Sequence, residues 1–126
     1  MILIDTSIWI DFFKGKETAL PLSKLIDKNE ICTNELILAE LIPSIIHYQE
    51  FELKEMLNSV TKLQLNINWN EIMQLQIKNL KNGINNVGIP DLIIIQNAID
   101  NDIKIYTSDK HFELMSKIHE FHLYKE

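Results

Sequence analysis

The sequence predicts an α/β domain with a mainly parallel central sheet and helices on both faces, and three observations carry that prediction. Short apolar runs of strand length alternate with longer segments in which apolar residues recur at helical spacing. The stretches between successive strands are long enough to hold a helix, as parallel pairing requires. Acidic residues stand where strands give way to helices, the edge at which open parallel sheets bind ligands.

In chain order, Met1 to Asp5 reads as a strand ending in a carboxylate, and Thr6 and Ser7 turn the chain into an amphipathic helix from Ile8 to Phe13. Glu30 to Thr33 is a second strand. Asn34 then opens a helix in which Leu36, Ile37, Leu41, Ile45 and Ile46 share one face, with a kink expected at Pro43. Phe51 to Val60 and Glu71 to Leu80 are further helices, and the alternating segment Lys62 to Ile67 between them reads as a strand. Gly83, Asn85, Asn86 and Gly88 form a loop, and Pro90 and Asp91 open a helix that continues to about Asp100. Ile103 to Tyr106 is the next strand. Thr107, Ser108 and Asp109 lead from it into a helix from Lys110 to Ile118, and Phe121 to Tyr124 adds a final strand.

A chain of 126 residues fits a single domain spanning 1–126, with 46% hydrophobic and 24% charged residues, ordinary values for a folded protein. No run approaches the ~18 apolar residues that cross a bilayer, so no membrane partner and a cytoplasmic location are expected. The single Cys32 has no partner for an internal disulfide and no neighbours for a zinc cluster; it reads as a small buried apolar residue. The net charge is -6, with twelve Lys and no Arg, which argues against a plain nucleic-acid binder. It leaves a metal nuclease open, because carboxylates gathered to hold cations add to the formal negative charge.

Four acids sort to the carboxyl edge. Asp5 ends the first strand, Asp91 begins a helix, Asp109 follows the strand at Ile103 to Tyr106, and Glu40 lies about two turns into the helix after the second strand. Singly, each has a plainer reading: Asp91 and Asp109 as helix N-caps, Asp5 as a strand terminator, Glu40 as a solvated helix position. Jointly they form an all-oxygen set suited to Mg2+ or Mn2+, ions that activate a bound water and neutralise charge on a phosphoryl group. A phosphoaspartyl enzyme also places an aspartate at a strand end, but its usual second Asp is Ser7 here.

The run Ile2-Leu3-Ile4-Asp5-Thr6-Ser7-Ile8-Trp9, then Ala39-Glu40-Leu41, then Asp91-Leu92-Ile93-Ile94 with Ala98, then Ile105-Tyr106-Thr107-Ser108-Asp109-Lys110-His111-Phe112 resembles the four motifs of the PIN-domain ribonucleases over nearly the whole chain. The nearest resemblance is to the VapC-like toxins of type II toxin–antitoxin pairs. It implies a three-layer PIN-like fold and a metal-dependent endoribonuclease in which Asp5, Glu40, Asp91 and Asp109 bind Mg2+, with Mn2+ able to substitute. Ser7 and Thr107 are then supporting hydroxyls. The resemblance also implies an RNA substrate, an antitoxin partner that inserts a segment near the acidic groove, and a homodimer built from helices beside the sheet. A housekeeping PIN nuclease and a non-catalytic PIN-like module that binds RNA or protein are the alternatives. The chain departs from the family pattern in carrying Ile94, Ile95 and Gln96 where small residues often follow the third acid, and in its lack of arginine.

Lys14, Lys16 and Lys110 are candidates for holding backbone phosphates, against a default of solvated surface. His111 reads as structural or in contact with RNA. His119 and His122 lack the spacing of a helical zinc motif and are expected at the end of the last strand. Trp9, Phe12 and Phe13 read either as core or subunit contact or as stacking platforms for bases.

Overall fold

The computed structural model describes all residues 1–126. Its four strands are β1 (Ile2–Ile4), β2 (Ile31–Asn34), β3 (Thr61–Leu63) and β4 (Lys104–Tyr106), all parallel, in the order β3-β2-β1-β4. Seven helices connect them: α1 (Thr6–Phe13), α2 (Leu20–Asp27), α3 (Glu35–His47), α4 (Phe51–Ser59), α5 (Trp69–Lys81), α6 (Ile89–Asn101) and α7 (Lys110–Ser116). Every residue of β1 and β2 is buried, as expected for strands covered on both faces.

Right-handed crossovers place helices on one face while the chain steps from β1 to β2 to β3, and on the other when it returns past β1 to β4. The packing agrees. α1 packs on α2 and α3, and α3 on α4, whereas α5 packs on α6 and α6 on β4. The strand order therefore reverses between β1 and β4, and a crevice opens there at the carboxyl edge. Asp5 at the end of β1 donates its amide to the Tyr106 carbonyl at the end of β4, 2.9 Å away. The sequence expectation of a parallel sheet between two helical layers holds.

The elements differ from the sequence reading in three places. α2 is additional: Pro21 in its first turn and the buried Leu22 and Leu25 secure it over the sheet. The strand expected at Lys62 to Ile67 is the shorter β3, because the chain leaves the sheet at Gln64, whose carbonyl accepts from the Asn97 amide. The final strand contracts to one parallel bridge between Ile105 and Leu123, since β4 offers only a three-residue edge. α3 continues through Pro43 to His47.

α6 is the central helix, with seven consecutive buried residues from Leu92 to Ala98. This explains the departure at Ile94, Ile95 and Gln96. The two isoleucines fill core, and Gln96 ties α6 to α5 by accepting from the Asn68 amide at 3.1 Å and donating to Glu71 Oε2 at 2.7 Å. Trp9 is wholly buried, with Phe12 and Phe13 packed against it and the core, so it belongs to the core and is closed to base stacking. Cys32 is buried in β2, and burial pushes its thiol up to about 11, far from a reactive thiolate.

Candidate active site

Asp5 leads out of β1 as the last extended residue before α1 and is 5% exposed. Ser7 Oγ and Thr107 Oγ1 each stand 2.8 Å from its Oδ2. The direction of these bonds is fixed by what the hydroxyls accept in turn. The Ser108 amide donates to Ser7 Oγ at 3.1 Å and the Asp109 amide to Thr107 Oγ1 at 3.0 Å, so both hydroxyl protons point at Asp5. The 3.2 Å approach of Ser7 Oγ to Thr107 Oγ1 is then a contact of two acceptors whose protons are already used. One oxygen of Asp5 is held from two sides, and Oδ1 has no protein partner.

Glu40, on α3, reaches α1. Thr6 Oγ1 donates to its Oε1 at 3.1 Å. Partial burial raises the Glu40 pKa, the Thr6 hydrogen bond opposes that, and the charge of Asp5 adds to the rise, which places the two acids in one field.

Asp91 sits in the first turn of α6. The N-cap there is Gly88, and the Asp91 carboxylate forms no hydrogen bond or ion pair with the protein, so it does not cap the helix. Its pKa is pushed up to about 6, first by burial and then by the charges of Asp109, Asp5 and Glu40, with a small offset from His111. Asp109 does cap α7: Oδ1 accepts from the His111 amide at 2.9 Å and lies 3.2 Å from His111 Nδ1. Its second oxygen remains free.

The fold thus brings four carboxylates, from the ends of β1 and β4, the second turn of α3 and the first turn of α6, to the same edge of the sheet, where the charges of Asp109, Asp5 and Glu40 all act on Asp91. No Lys pairs with any of them. No three Asp, Glu, His or Cys side chains close around a single point, as uncompensated anions that repel one another would not. The donor set fits a hard divalent cation: all oxygen, uncompensated, with one carboxylate lacking any protein partner. Such ions keep several waters and need only one or two direct carboxylates.

The model of the PIN domain family matches residues 2–118. The chain belongs to the PIN-domain family. PIN domains are generally nucleases and generally use divalent metals. Solved structures share this fold at low identity. The VapBC2 complex of Rickettsia felis bound to a promoter DNA fragment superposes with a TM-score of 0.74 at 20% identity, covering 98% of each chain. FitAcB of Neisseria gonorrhoeae gives 0.76 at 16% identity, covering 99% of this chain and 97% of that one. DNA-bound VapBC of Salmonella typhimurium gives 0.74 at 15%, covering 98% and 96%. No protein of curated function matches the sequence.

The remaining candidates of this PIN domain scatter. Lys110 opens α7 next to Asp109, whereas Lys14 lies at the far end of α1, about 13 Å along the helix from Asp5. Lys16 follows it and pairs with Asp11 at 3.7 Å. His119 is buried ahead of the terminal bridge against Asn79, and His122 is exposed beside it. Two polar residues of the site escaped the sequence reading. Thr6 was legible as the middle of Asp5-Thr6-Ser7, but the partner it holds is 34 residues away. Asn34 caps α3 by accepting from the Ile37 amide and donates to Asn97 Oδ1 at 2.9 Å, so it ties the helix of Glu40 to the helix of Asp91. A buried Asn directly ending a strand is its only sequence signal.

No helix is long and apolar enough to cross a membrane.

Proposed function

We propose that this PIN domain is a Mg2+-dependent endoribonuclease, with Mn2+ able to substitute, and that it acts as the toxin of a toxin–antitoxin pair. The observation that carries the reading is Asp91: a carboxylate without a protein partner, its pKa raised to about 6 by burial and by three neighbouring acids. A folded protein keeps such a cluster at a cost in stability, and a bound cation removes that cost.

In this reading Asp5, Glu40, Asp91 and Asp109 hold the ion. When bound, the ion lowers the pKa of a coordinated water and neutralises charge on the scissile phosphate. Ser7 and Thr107 fix Asp5 through Oδ2 and leave its Oδ1 free for the ion, and Thr6 holds Glu40 through Oε1. A cation bound there would favour the ionised form of Asp91 and offset the causes that raise its pKa. His111 braces Asp109 through Nδ1.

The antitoxin reading draws support from structural relatives that are themselves toxin–antitoxin assemblies, including a complex from Klebsiella pneumoniae. A net charge of -6 favours a basic antitoxin segment. The homodimer draws support from the outer face of α5. Trp69, Met73, Ile77 and Leu80 fall on one side of that helix and all are exposed, a continuous apolar stripe of the kind that marks subunit contacts.

The test is cleavage of a mixed small-RNA pool by wild type and by Asp5→Asn, each with magnesium, manganese or chelator. Cutting by metal-loaded wild type alone is the expected result. Equal cutting by both variants points to a contaminant, and no cutting by either turns the reading toward the non-catalytic binding module. A housekeeping role predicts a cutter whose activity no neighbouring antitoxin suppresses.

A further inference from the structure

We propose that the cleft between the start of α7 and the C-terminal tail is a nucleotide subsite that holds the RNA strand beside the acidic cluster, with Lys110 and Lys125 on phosphates and the Tyr124 ring under a base. The proposal rests on the RNA-nuclease reading above and adds the path by which substrate reaches it.

The cleft encloses about 280 Å3, and Thr107 and Asp109 form part of its wall. It therefore adjoins the acidic cluster at Asp109 and at Thr107, which donates to Asp5. A substrate threading the crevice meets four acids and needs cations close by, because phosphate contacts supply most sequence-independent affinity. In a chain without arginine, this cleft sets two lysines against an acid of the cluster. Lys110 is exposed and pairs with no carboxylate. Lys125 meets Glu113 at 3.8 Å, with both side chains more than half exposed, an ion pair weak enough to yield to phosphate.

Tyr124 is the ordered part of the wall. Its amide donates to the Ile105 carbonyl at 2.8 Å, which pins the tail to the edge of β4. Its ring leans on Tyr106, with centroids 5.2 Å apart, and Tyr106 is itself fixed by donating to the Thr18 carbonyl at 2.6 Å. The Tyr124 hydroxyl has no protein partner, and the ring is half-buried and braced from behind. An aromatic ring so held, in a cleft that it shares with two lysines, is suited to bind single-stranded nucleic acid by stacking and backbone contact.

The test measures binding of a fluorescent single-stranded RNA by anisotropy, in magnesium and in chelator, beside cleavage of the same RNA. K110A/K125A should weaken binding about tenfold, raise KM without a matching fall in kcat, and lower the salt slope by about 1.4, the value for two lost contacts to a single strand. Tyr124→Leu should weaken binding about tenfold, and Tyr124→Phe should restore it. Glu113→Gln should tighten binding by freeing Lys125. K24A/K28A removes the same charge from α2 and should leave KM unchanged. If wild type cuts RNA while K110A/K125A and Tyr124→Leu keep its KM and salt slope, the subsite is overturned and the nuclease reading stands. If wild type neither binds nor cuts RNA, both fall.

Discussion

The carboxyl edge of the sheet and the seam where α5 meets α7 and the tail handle buried polar groups in opposite ways. At the carboxyl edge, Asp91 has no protein partner and Asp5 uses only one oxygen. At the seam, every hydrogen bond has an assignable direction. Asn79 Nδ2 donates to Gln76 Oε1 and Met115 Sδ, which leaves Asn79 Oδ1 to accept from His119 Nε2 at 2.7 Å, and Gln76 passes the chain on to the Val87 carbonyl. His119 therefore carries its proton on Nε2. A network closed on itself builds the fold, and one left open at its acceptors awaits something from outside. Burial alone does not separate the two, since Asp5 and His119 are both buried; the difference lies in whether the protein supplies the partners.

The comparison is most sharply tested by removing one residue from each region. Asp91→Asn should lower RNA cleavage by on the order of a thousandfold in saturating magnesium, read as initial rate. Asn79→Leu should leave cleavage per folded molecule near wild type but destabilise the protein by about 2–4 kcal/mol in urea titration. It strands the His119 donor and the Gln76 acceptor in the interior. If Asn79→Leu costs little, the closed network is not structural. If Asp91→Asn cuts normally, the open one is not catalytic.

The sign of the stability change comes next in size. Asp91→Asn in chelator should be more stable than wild type at pH 7, by about 1–2 kcal/mol. The shift from 3.8 to about 6 is halved here for a carboxylate that solvent still reaches. A loss of stability would instead mean that Asp91 supports α6 through a bond the free structure does not contain.

The alternation of strands and helices was legible because β1 is a pure apolar run, β2 and β4 each carry a short apolar core in Ile31-Cys32 and Ile105-Tyr106, and α3 shows clear helical periodicity. Asp5 and Asp109 were legible as candidates from their place after strands, whereas Glu40 and Asp91, both on helices, entered through their joint placement and the family resemblance. What stayed hidden depended on distance across the fold. The Thr6–Glu40 bond spans 34 residues and the Thr107–Asp5 bond 102. α2 went unread because only Leu22 and Leu25 of its eight residues are buried, too few to mark a period. The His119–Asn79 pair joins a helix to the tail over 40 residues, and neither residue type signals burial. The last strand was overread because Phe121 to Tyr124 has strand composition, while the available edge of β4 is three residues long.

The smallest expected effect is in the pH dependence of metal-free stability, where the two regions pull in opposite directions. Asp91 has a raised pKa in the folded state, so its ionisation penalises the fold above about pH 6 and is relieved as the pH falls toward 4. His119 has a lowered pKa, by burial and then by Lys78, so the neutral ring suits the fold and stability is lost as the pH falls below the ordinary value of 6.5. Glu71, Asp100 and Glu120 line the same cleft. Wild type in chelator should show a shallow profile between pH 7 and 5, because the two slopes oppose. Asp91→Asn should expose the His119 slope, with stability falling as the solution is acidified, and His119→Gln should expose the rise due to Asp91. Identical profiles for all three would mean that neither group titrates differently in the folded and unfolded chain, and the contrast between the two regions would then reduce to hydrogen bonding alone.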